Sequence, residues 1–421
     1  MREIASLRLQ RTLLGCLLEG VAQVYQFVRL TTAWAHPVRF PKRLLMLMMF
    51  LNMPKLVLVI LAPNHIAHPQ MTFDTWFYWD EYHIIKALDE DHSLKTVLSW
   101  FHGNWVEKTP NPYYRPLTSV SLWLDYLIWR HNHRGYLLTS WTLQCLTGWL
   151  LTTLVTHVVG NAICGILTGV AFAWIWLPSL RTIVHHMSTR TDGLCAFWML
   201  LSLVWAMRWI ESAQVKWGIA SWISALAALL SKEMALALPF LIAFCGFFKT
   251  GRKSWQRTML LYTAIIILVF LWGMAYRFFL PEAISAHWQR FIKPSRIFWQ
   301  YTMVLSATLP WAAQFIWGVL IVFSPWILFS LQTWWLIVKF AIGVVGIICV
   351  LKIIPRTFLF FIGWVLLSWI PLLPVRLIAP HYSYIPNLAT YTLYGAMILA
   401  LAELAWQRKQ ICENKSLGLA H

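Results

Sequence analysis

Charged side chains are scarce in this sequence of 421 residues. Asp, Glu, Lys and Arg make up 12% of it, about half the share typical of soluble domains. Hydrophobic residues make up 59%, and a soluble fold of this size could not hide so much apolar surface. Long apolar runs recur from Leu44 to Leu404. The composition excludes soluble and disordered proteins and predicts an all-α, polytopic transmembrane helical bundle.

Cysteine is also scarce, with seven residues, most of them in apolar runs and none in a CxxC pair. This argues against a disulfide framework and against a thiolate metal site. The sequence lacks a Walker loop, a GxSxG element and a dinucleotide-binding glycine pattern, so a nucleotide site is not expected. The net charge of +18 comes from basic residues beside apolar runs, as in cytoplasmic loops. We therefore expect membrane lipids, and no nucleic acid, as partners.

The distribution of Lys and Arg predicts how the chain is organised across the membrane. Residues 1–43 carry seven basic side chains and form a predicted cytoplasmic, interfacial segment. Residues 44–406 form the predicted transmembrane domain, with about 10–12 spans, and residues 407–421 a cytoplasmic tail. The polar segment 63–134 holds eight of the sixteen acids. We predict that it is the first external loop and contains interfacial helices, one of them behind Pro116.

Carboxylates in the external turns are candidates for catalysis. Asp80 and Glu81 lie between aromatic residues, where partial loss of water raises basicity and suits a general base. A solvated helix cap is the alternative. Asp192 follows Arg190 at the start of a predicted helix, whose positive end favours the ionised carboxylate. We prefer Asp80 as the base, because Asp192 is better placed to orient neighbouring basic side chains.

Three cations in these turns are candidates for holding a phosphate. Arg115 precedes the predicted interfacial helix, and Arg190 lies in a later external turn. Lys232 and Glu233 separate two apolar runs that have no other polar linker. Charges buried at a membrane edge are costly unless they have a function. We predict phosphate binding by Arg115, Arg190 and Lys232, with Glu233 orienting the lysine. Lipid-headgroup contact for Arg115 and a structural Lys232–Glu233 ion pair are the alternatives.

Other polar and aromatic side chains in the external turns are candidates for contact with a sugar or an acceptor. Aromatic rings stack on sugars, although an interfacial aromatic belt is the alternative. His185 and His186 are adjacent and face different directions on a helix, so we predict no metal ligands. A carboxylate base and phosphate-holding cations require no cofactor, because cationic side chains can offset the charge of a phosphate. Use of a divalent metal stays open. The candidates are His185, His186, Arg376, His381, Tyr382 and Tyr384.

Five short segments contain most of these candidate residues and follow one another along the chain. They are Asp80-Glu81, Arg115-Pro116-Leu117-Thr118, Ser188-Thr189-Arg190-Thr191-Asp192, Leu230-Ser231-Lys232-Glu233 and His381-Tyr382-Ser383-Tyr384-Ile385-Pro386. In these segments the sequence resembles the GT-C superfamily of integral-membrane glycosyltransferases. It is most similar to the protein O-mannosyltransferase (family 39-like) group, in particular the branch that carries tetratricopeptide repeats, which this chain lacks. It is more remotely similar to lipid A aminoarabinose transferases.

The resemblance implies a fold of GT-C type and an inverting transfer of a sugar from a polyprenyl-phosphate donor to a hydroxyl. The acceptor would be a glycan, a lipid or a protein. The active site would face the periplasm of a bacterial inner membrane, with both termini in the cytoplasm. One departure is Leu177-Pro178-Ser179-Leu180, where that branch has His-Pro-Val-His. The alternatives are a ligase that moves whole glycans from a lipid diphosphate, and a lipid or sugar transporter.

Overall fold

The computed structural model describes residues 23, 25–61, 76–106, 113–175, 186–249, 252–280, 344–372 and 380–418. Every regular element in these ranges is an α-helix or a short 3₁₀ helix, which confirms the predicted all-α class. Residues 25–34 are helical and precede the numbered helices. The numbered helices are α1 (Pro41–Leu51), α2 (Met53–Leu61), α3 (Trp76–Glu90), α4 (Leu94–Ser99), α5 (Pro116–Trp129), α6 (His133–Val159), α7 (Ala162–Trp174), α8 (Arg190–Ser212), α9 (Val215–Leu229), α10 (Leu238–Phe247), α11 (Arg252–Phe279), α12 (Val344–Ile353), α13 (Pro355–Ser368) and α14 (Tyr384–Gly418).

Several of these helices are long and apolar enough to cross a membrane. By length and composition, four qualify among the described residues, centred on α6, α8, α11 and α14, or six if two bent pairs each count as one span. The bent pairs are α1–α2, at 49°, and α12–α13, at 118°. Helices α7, α9 and α10 are shorter but apolar. These helices confirm the prediction of an apolar helical membrane protein. The predicted count of 10–12 spans depends partly on residues 281–343, which lie outside the described ranges.

Helices α6, α7, α8 and α14 pack together at the centre of the bundle. Their facing surfaces are buried and apolar, and they include Leu154, Phe172 and Leu203. Helix α14 lies against the backbone of α7 at Gly395, where an added Cβ would lie 2.5 Å from the backbone nitrogen of Thr168. A larger side chain at Gly395 would therefore push these two helices apart.

The first apolar run is divided at Asn52, which lies between α1 and α2. The side-chain amide of Asn52 donates to the Met48 backbone carbonyl at 2.8 Å. The backbone carbonyl of Asn52 accepts from Trp141 Nε1 at 2.9 Å. Lys55 is fully buried and donates to Asn52 Oδ1 at 2.8 Å and to the Phe172 carbonyl at 3.1 Å. These acceptors allow a lysine inside the bundle, because a buried polar group is tolerated when it is hydrogen-bonded.

The predicted orientation can be tested by labelling single cysteines in whole cells. Four native cysteines are buried (Cys145, Cys164, Cys195 and Cys245) and offer little background, and the other three (Cys16, Cys349 and Cys412) are replaced by serine before labelling. Glu90 and Lys253 are both exposed. A membrane-impermeant maleimide should label Glu90→Cys in intact cells and Lys253→Cys only after permeabilisation. Labelling of position 253 alone in intact cells would reverse the predicted orientation.

Candidate active site

Two of the sequence segments meet at one end of the bundle, where α5 begins and α9 ends. The backbone N–H of Leu117 donates to the Leu230 carbonyl at 3.0 Å, and Thr118 Oγ1 donates to the Ser231 carbonyl at 3.0 Å. Pro116 is well suited to this first helical turn, because it has no N–H to satisfy. This docking fixes Arg115, which precedes α5, beside the break between α9 and α10.

Lys232 forms a buried ion pair with Asp192. Its Nζ lies 2.7 Å from both carboxylate oxygens, and the two side chains are 3% and 1% exposed. The ammonium also lies 4.4 Å from the centre of the Tyr382 ring, within range of a cation–π contact. Asp192 lies in the first turn of α8, as predicted. Three separate segments thus converge on one ammonium group.

Arg115 forms a second ion pair, with Glu233. Its Nη2 lies 2.9 Å from one carboxylate oxygen, and Nε and Nη2 each lie 3.3 Å from the other. The guanidinium stacks over the Tyr113 ring at 4.0 Å and lies 5.6 Å from the Trp105 ring. The Arg115 side chain is 8% exposed and that of Glu233 is 25% exposed. This pair is therefore more open to solvent than the Lys232–Asp192 pair.

The observed pairing corrects the prediction that Glu233 orients Lys232. Lys232 pairs with Asp192 and Glu233 with Arg115. The physical reason is the extended backbone of Lys232, with φ −164° and ψ 151°, because successive side chains of an extended segment point to opposite sides. The two adjacent residues thus reach partners on different helices, and they also do not form the structural Lys–Glu pair that was the alternative.

Arg190 is engaged by protein groups on three sides. Its Nη2 lies 2.8 Å from Asp125 Oδ2 and donates to the Tyr136 carbonyl at 2.7 Å. Its Nη1 and Nε donate to Ser121 Oγ and Ser140 Oγ, each at 3.2 Å. The side chain is fully buried. Arg190 thus joins α5, α6 and α8, and its donors face protein acceptors in this state.

Glu81 is completely buried in α3 and faces two histidines. Its Oε1 accepts from the Met187 backbone N–H at 2.8 Å and lies 3.6 Å from His186 Nδ1, while Oε2 lies 3.3 Å from His133 Nε2. Burial by itself raises the pKa of this carboxyl group, but the two histidines outweigh it and hold the pKa below its ordinary value. Glu81 thereby fastens α3 to α6 and to the turn before α8.

The other predicted residues are distributed as follows. Asp80 lies in α3 beside Glu81, and His381 lies just before α14. For these two residues the structure describes the backbone and not the side chain. His185 and Arg376 lie outside the described residues. Tyr384 is buried at the start of α14 and donates to Gln144 Oε1 at 2.7 Å. In the described part of the chain, no three His, Cys, Asp or Glu side chains are grouped to hold a metal ion.

Three contributors were missed from the sequence: Asp125, His133 and Tyr113. Asp125 lies inside an apolar helix four residues after Ser121, so both share the face that contacts Arg190. That shared face was a detectable signal. His133 and Tyr113 carried no such signal, because their roles depend on tertiary contacts with Glu81 and Arg115.

The fold and this end of the bundle define a class: a helical membrane protein with buried ion pairs where its helices meet. No protein-family model matches the sequence. No curated protein matches it either. Among solved structures, the chain is similar to the crystal structure of ArnT from Cupriavidus metallidurans in the apo state, with 16% sequence identity and a TM-score of 0.44. That alignment covers 85% of this chain and 76% of ArnT.

Proposed function

We propose that this protein is a membrane glycosyltransferase of the GT-C superfamily, related to the protein O-mannosyltransferase group, that uses a polyprenyl-phosphate-linked sugar. The observation that carries this proposal is the pair of buried cations, Lys232 and Arg115, at one end of an apolar helical bundle. Buried cations suit a phosphate. Apolar helices suit its polyprenyl tail, because the donor and the enzyme then share the membrane.

In the proposed reaction, Asp80 takes the proton from the acceptor hydroxyl. The acceptor oxygen forms a bond to the anomeric carbon while the bond from that carbon to the phosphate oxygen breaks. The phosphate leaves with the bonding electron pair, and inversion follows from attack on the opposite face. Lys232 and Arg115 offset the charge that develops on the leaving phosphate. No metal or cofactor is required by this scheme.

Other residues are assigned to positioning and to recognition. Asp192 holds Lys232 by its ion pair. Arg190, first predicted to bind phosphate, is proposed to position α5, α6 and α8, because protein groups occupy its donors. Glu81 is proposed to fix α3 relative to the start of α8. Contacts with the sugar or acceptor are proposed for His185, His186, Arg376, His381, Tyr382 and Tyr384.

The proposed setting is the periplasmic side of a bacterial inner membrane, with both termini in the cytoplasm. The acceptor is proposed to be a hydroxyl of a glycan, a lipid or a protein. Transfer itself is tested with purified protein and radiolabelled polyprenyl-phosphate sugars. Appearance of a glycosylated product together with free polyprenyl phosphate supports the proposal. Movement of lipid or sugar across the membrane without chemical change would instead identify a transporter.

Binding of the lipid phosphate can be measured before the sugar is known. Undecaprenyl phosphate should bind the protein in nanodiscs more tightly than undecaprenol, which lacks the phosphate. Lys232→Ala should weaken that binding by about 10–100-fold, the effect of losing a charge-assisted hydrogen bond worth roughly 1.5–3 kcal/mol. Native mass spectrometry with titrated lipid gives the affinities.

Lys249→Ala is the matched control. Lys249 also pairs with a carboxylate, lying 2.6 Å from Glu211, but it follows α10, whereas Lys232 precedes it. Its loss should leave lipid-phosphate affinity unchanged. Equal losses in both variants would indicate general damage to the bundle, and full affinity in Lys232→Ala would remove Lys232 from the phosphate site.

A further inference from the structure

Both cations of the proposed phosphate site are already neutralised by carboxylates. Lys232 faces Asp192, and Arg115 faces Glu233. The cluster of Arg115, Lys232, Asp192 and Glu233 therefore carries two positive and two negative charges, arranged so that each cation contacts an anion.

An incoming phosphate must compete with these carboxylates. The phosphodiester of a polyprenyl-phosphate sugar carries a negative charge, and the monoester left after transfer carries roughly −1.5 to −2 at neutral pH. A further anion in a buried, neutral cluster meets like-charge repulsion, and a buried excess charge is costly. Binding is favourable only if one carboxylate gives up its cation.

Glu233 is the carboxylate that can leave at lower cost. Its side chain is 25% exposed, whereas that of Asp192 is 1% exposed. A carboxylate that moves towards water regains hydration, while one that moves within the interior does not. Glu233 also lies outside the regular α-helices, since it begins the 3₁₀ helix Glu233–Ala237 directly after the extended Lys232.

Arg115 is the cation best shaped to accept the exchange. Its Nε and Nη2 already face Glu233 side by side, and the same edge of a guanidinium can take two phosphate oxygens. The Tyr113 ring at 4.0 Å holds the guanidinium plane in place when its anion changes.

We infer that Glu233 is an exchangeable counter-ion that occupies the phosphate position on Arg115 until the lipid-linked donor displaces it, while Asp192 stays with Lys232. The inference rests on the proposed function. Before the donor binds, the four charges of the cluster cancel one another. An anion can then bind Arg115 only if it binds the guanidinium more favourably than Glu233 does.

The test compares two carboxylate-to-amide variants by titration with undecaprenyl phosphate in nanodiscs, with undecaprenol as the neutral reference. Glu233→Gln should bind undecaprenyl phosphate about tenfold more tightly than the parent, because an internal competitor has been removed. Asp192→Asn should show a smaller gain, because Asp192 stays with Lys232 and does not occupy the phosphate position on Arg115. Glu233→Asp, which shortens the side chain but keeps its charge, should also bind more tightly and guards against misfolding of the first variant.

The outcomes separate the inference from the function on which it rests. Weaker binding by both Glu233 variants, with a parent that still prefers the phosphate, would overturn the exchange and make Glu233 a holder of Arg115. Absence of any preference for phosphate over undecaprenol in the parent and in every variant would overturn the proposed function as well. Tighter binding by the Glu233 variants, even with a weak parent, supports the exchange.

Discussion

Substitution of Asp80 by Asn is expected to lower sugar turnover by about 10²–10⁴-fold, the usual effect of losing a general base. Asn keeps the size of the side chain and removes the charge that accepts the proton. Asp80 lies on α3 directly before Glu81, whose carboxylate fastens that helix to the turn before α8. The measurement is single-turnover transfer from a radiolabelled polyprenyl-phosphate sugar, with lipid-phosphate affinity measured in parallel.

Asp91→Asn provides the control for this substitution. Asp91 follows α3 in the same segment, is exposed, and accepts hydrogen bonds from Ser93 and Thr96. Its loss should leave turnover within about twofold of the parent, since surface changes away from a site have small effects. If Asp80→Asn keeps parental turnover with donor binding intact, the base lies elsewhere, and Asp192 becomes the next candidate.

Removal of the Arg190 guanidinium is expected to produce the largest loss of stability. Arg190→Met would leave Asp125 buried without its cation, and breaking a buried pair in this way costs about 3–5 kcal/mol in the free energy of unfolding. The variant also loses the hydrogen bonds to Ser121, Ser140 and the Tyr136 carbonyl. Unfolding in detergent, followed by tryptophan fluorescence under increasing denaturant, measures the change.

Two further variants distinguish charge burial from loss of packing. The double substitution Arg190→Met with Asp125→Leu should recover much of the stability, because the unpaired charge is gone. Lys86→Met breaks an exposed pair with Glu90, whose atoms lie 4.0 Å apart, and should change stability by less than about 1 kcal/mol. A loss in Arg190→Met as small as that in Lys86→Met would show that the Arg190–Asp125 pair contributes little.

The helical class and the helix behind Pro116 were predictable because they depend on local pattern. Apolar runs of membrane length predict helices, and a proline followed by a regular apolar face predicts a helix start; the observed helix is Pro116–Trp129. The meeting of Arg115 with the Lys232–Glu233 segment was also foreseeable in outline, because both were expected in turns on one side of the membrane.

The pairing within the site was not predictable from the sequence. Which carboxylate faces Lys232 depends on the local backbone of two adjacent residues and on how α5 docks against Leu230 and Ser231. The role of Arg190 likewise depended on Asp125, which the sequence presents as one acid among many in the polar segment. The four-residue spacing of Ser121 and Asp125 indicates a shared polar face, but it does not indicate that Arg190 is the partner of that face.

The ion pairs of the candidate site join residues that are far apart along the chain, and this has a consequence for biosynthesis. Arg115 is separated from Glu233 by 118 positions, and Lys232 from Asp192 by 40. A ribosome makes the chain from its N-terminus, so Arg115 emerges long before its carboxylate partner. Until α8, α9 and the segment after them are made, Arg115 lacks the carboxylate partner that it has in the folded protein. Completion of the site is therefore a late event in assembly, because it waits for the carboxylate of Glu233.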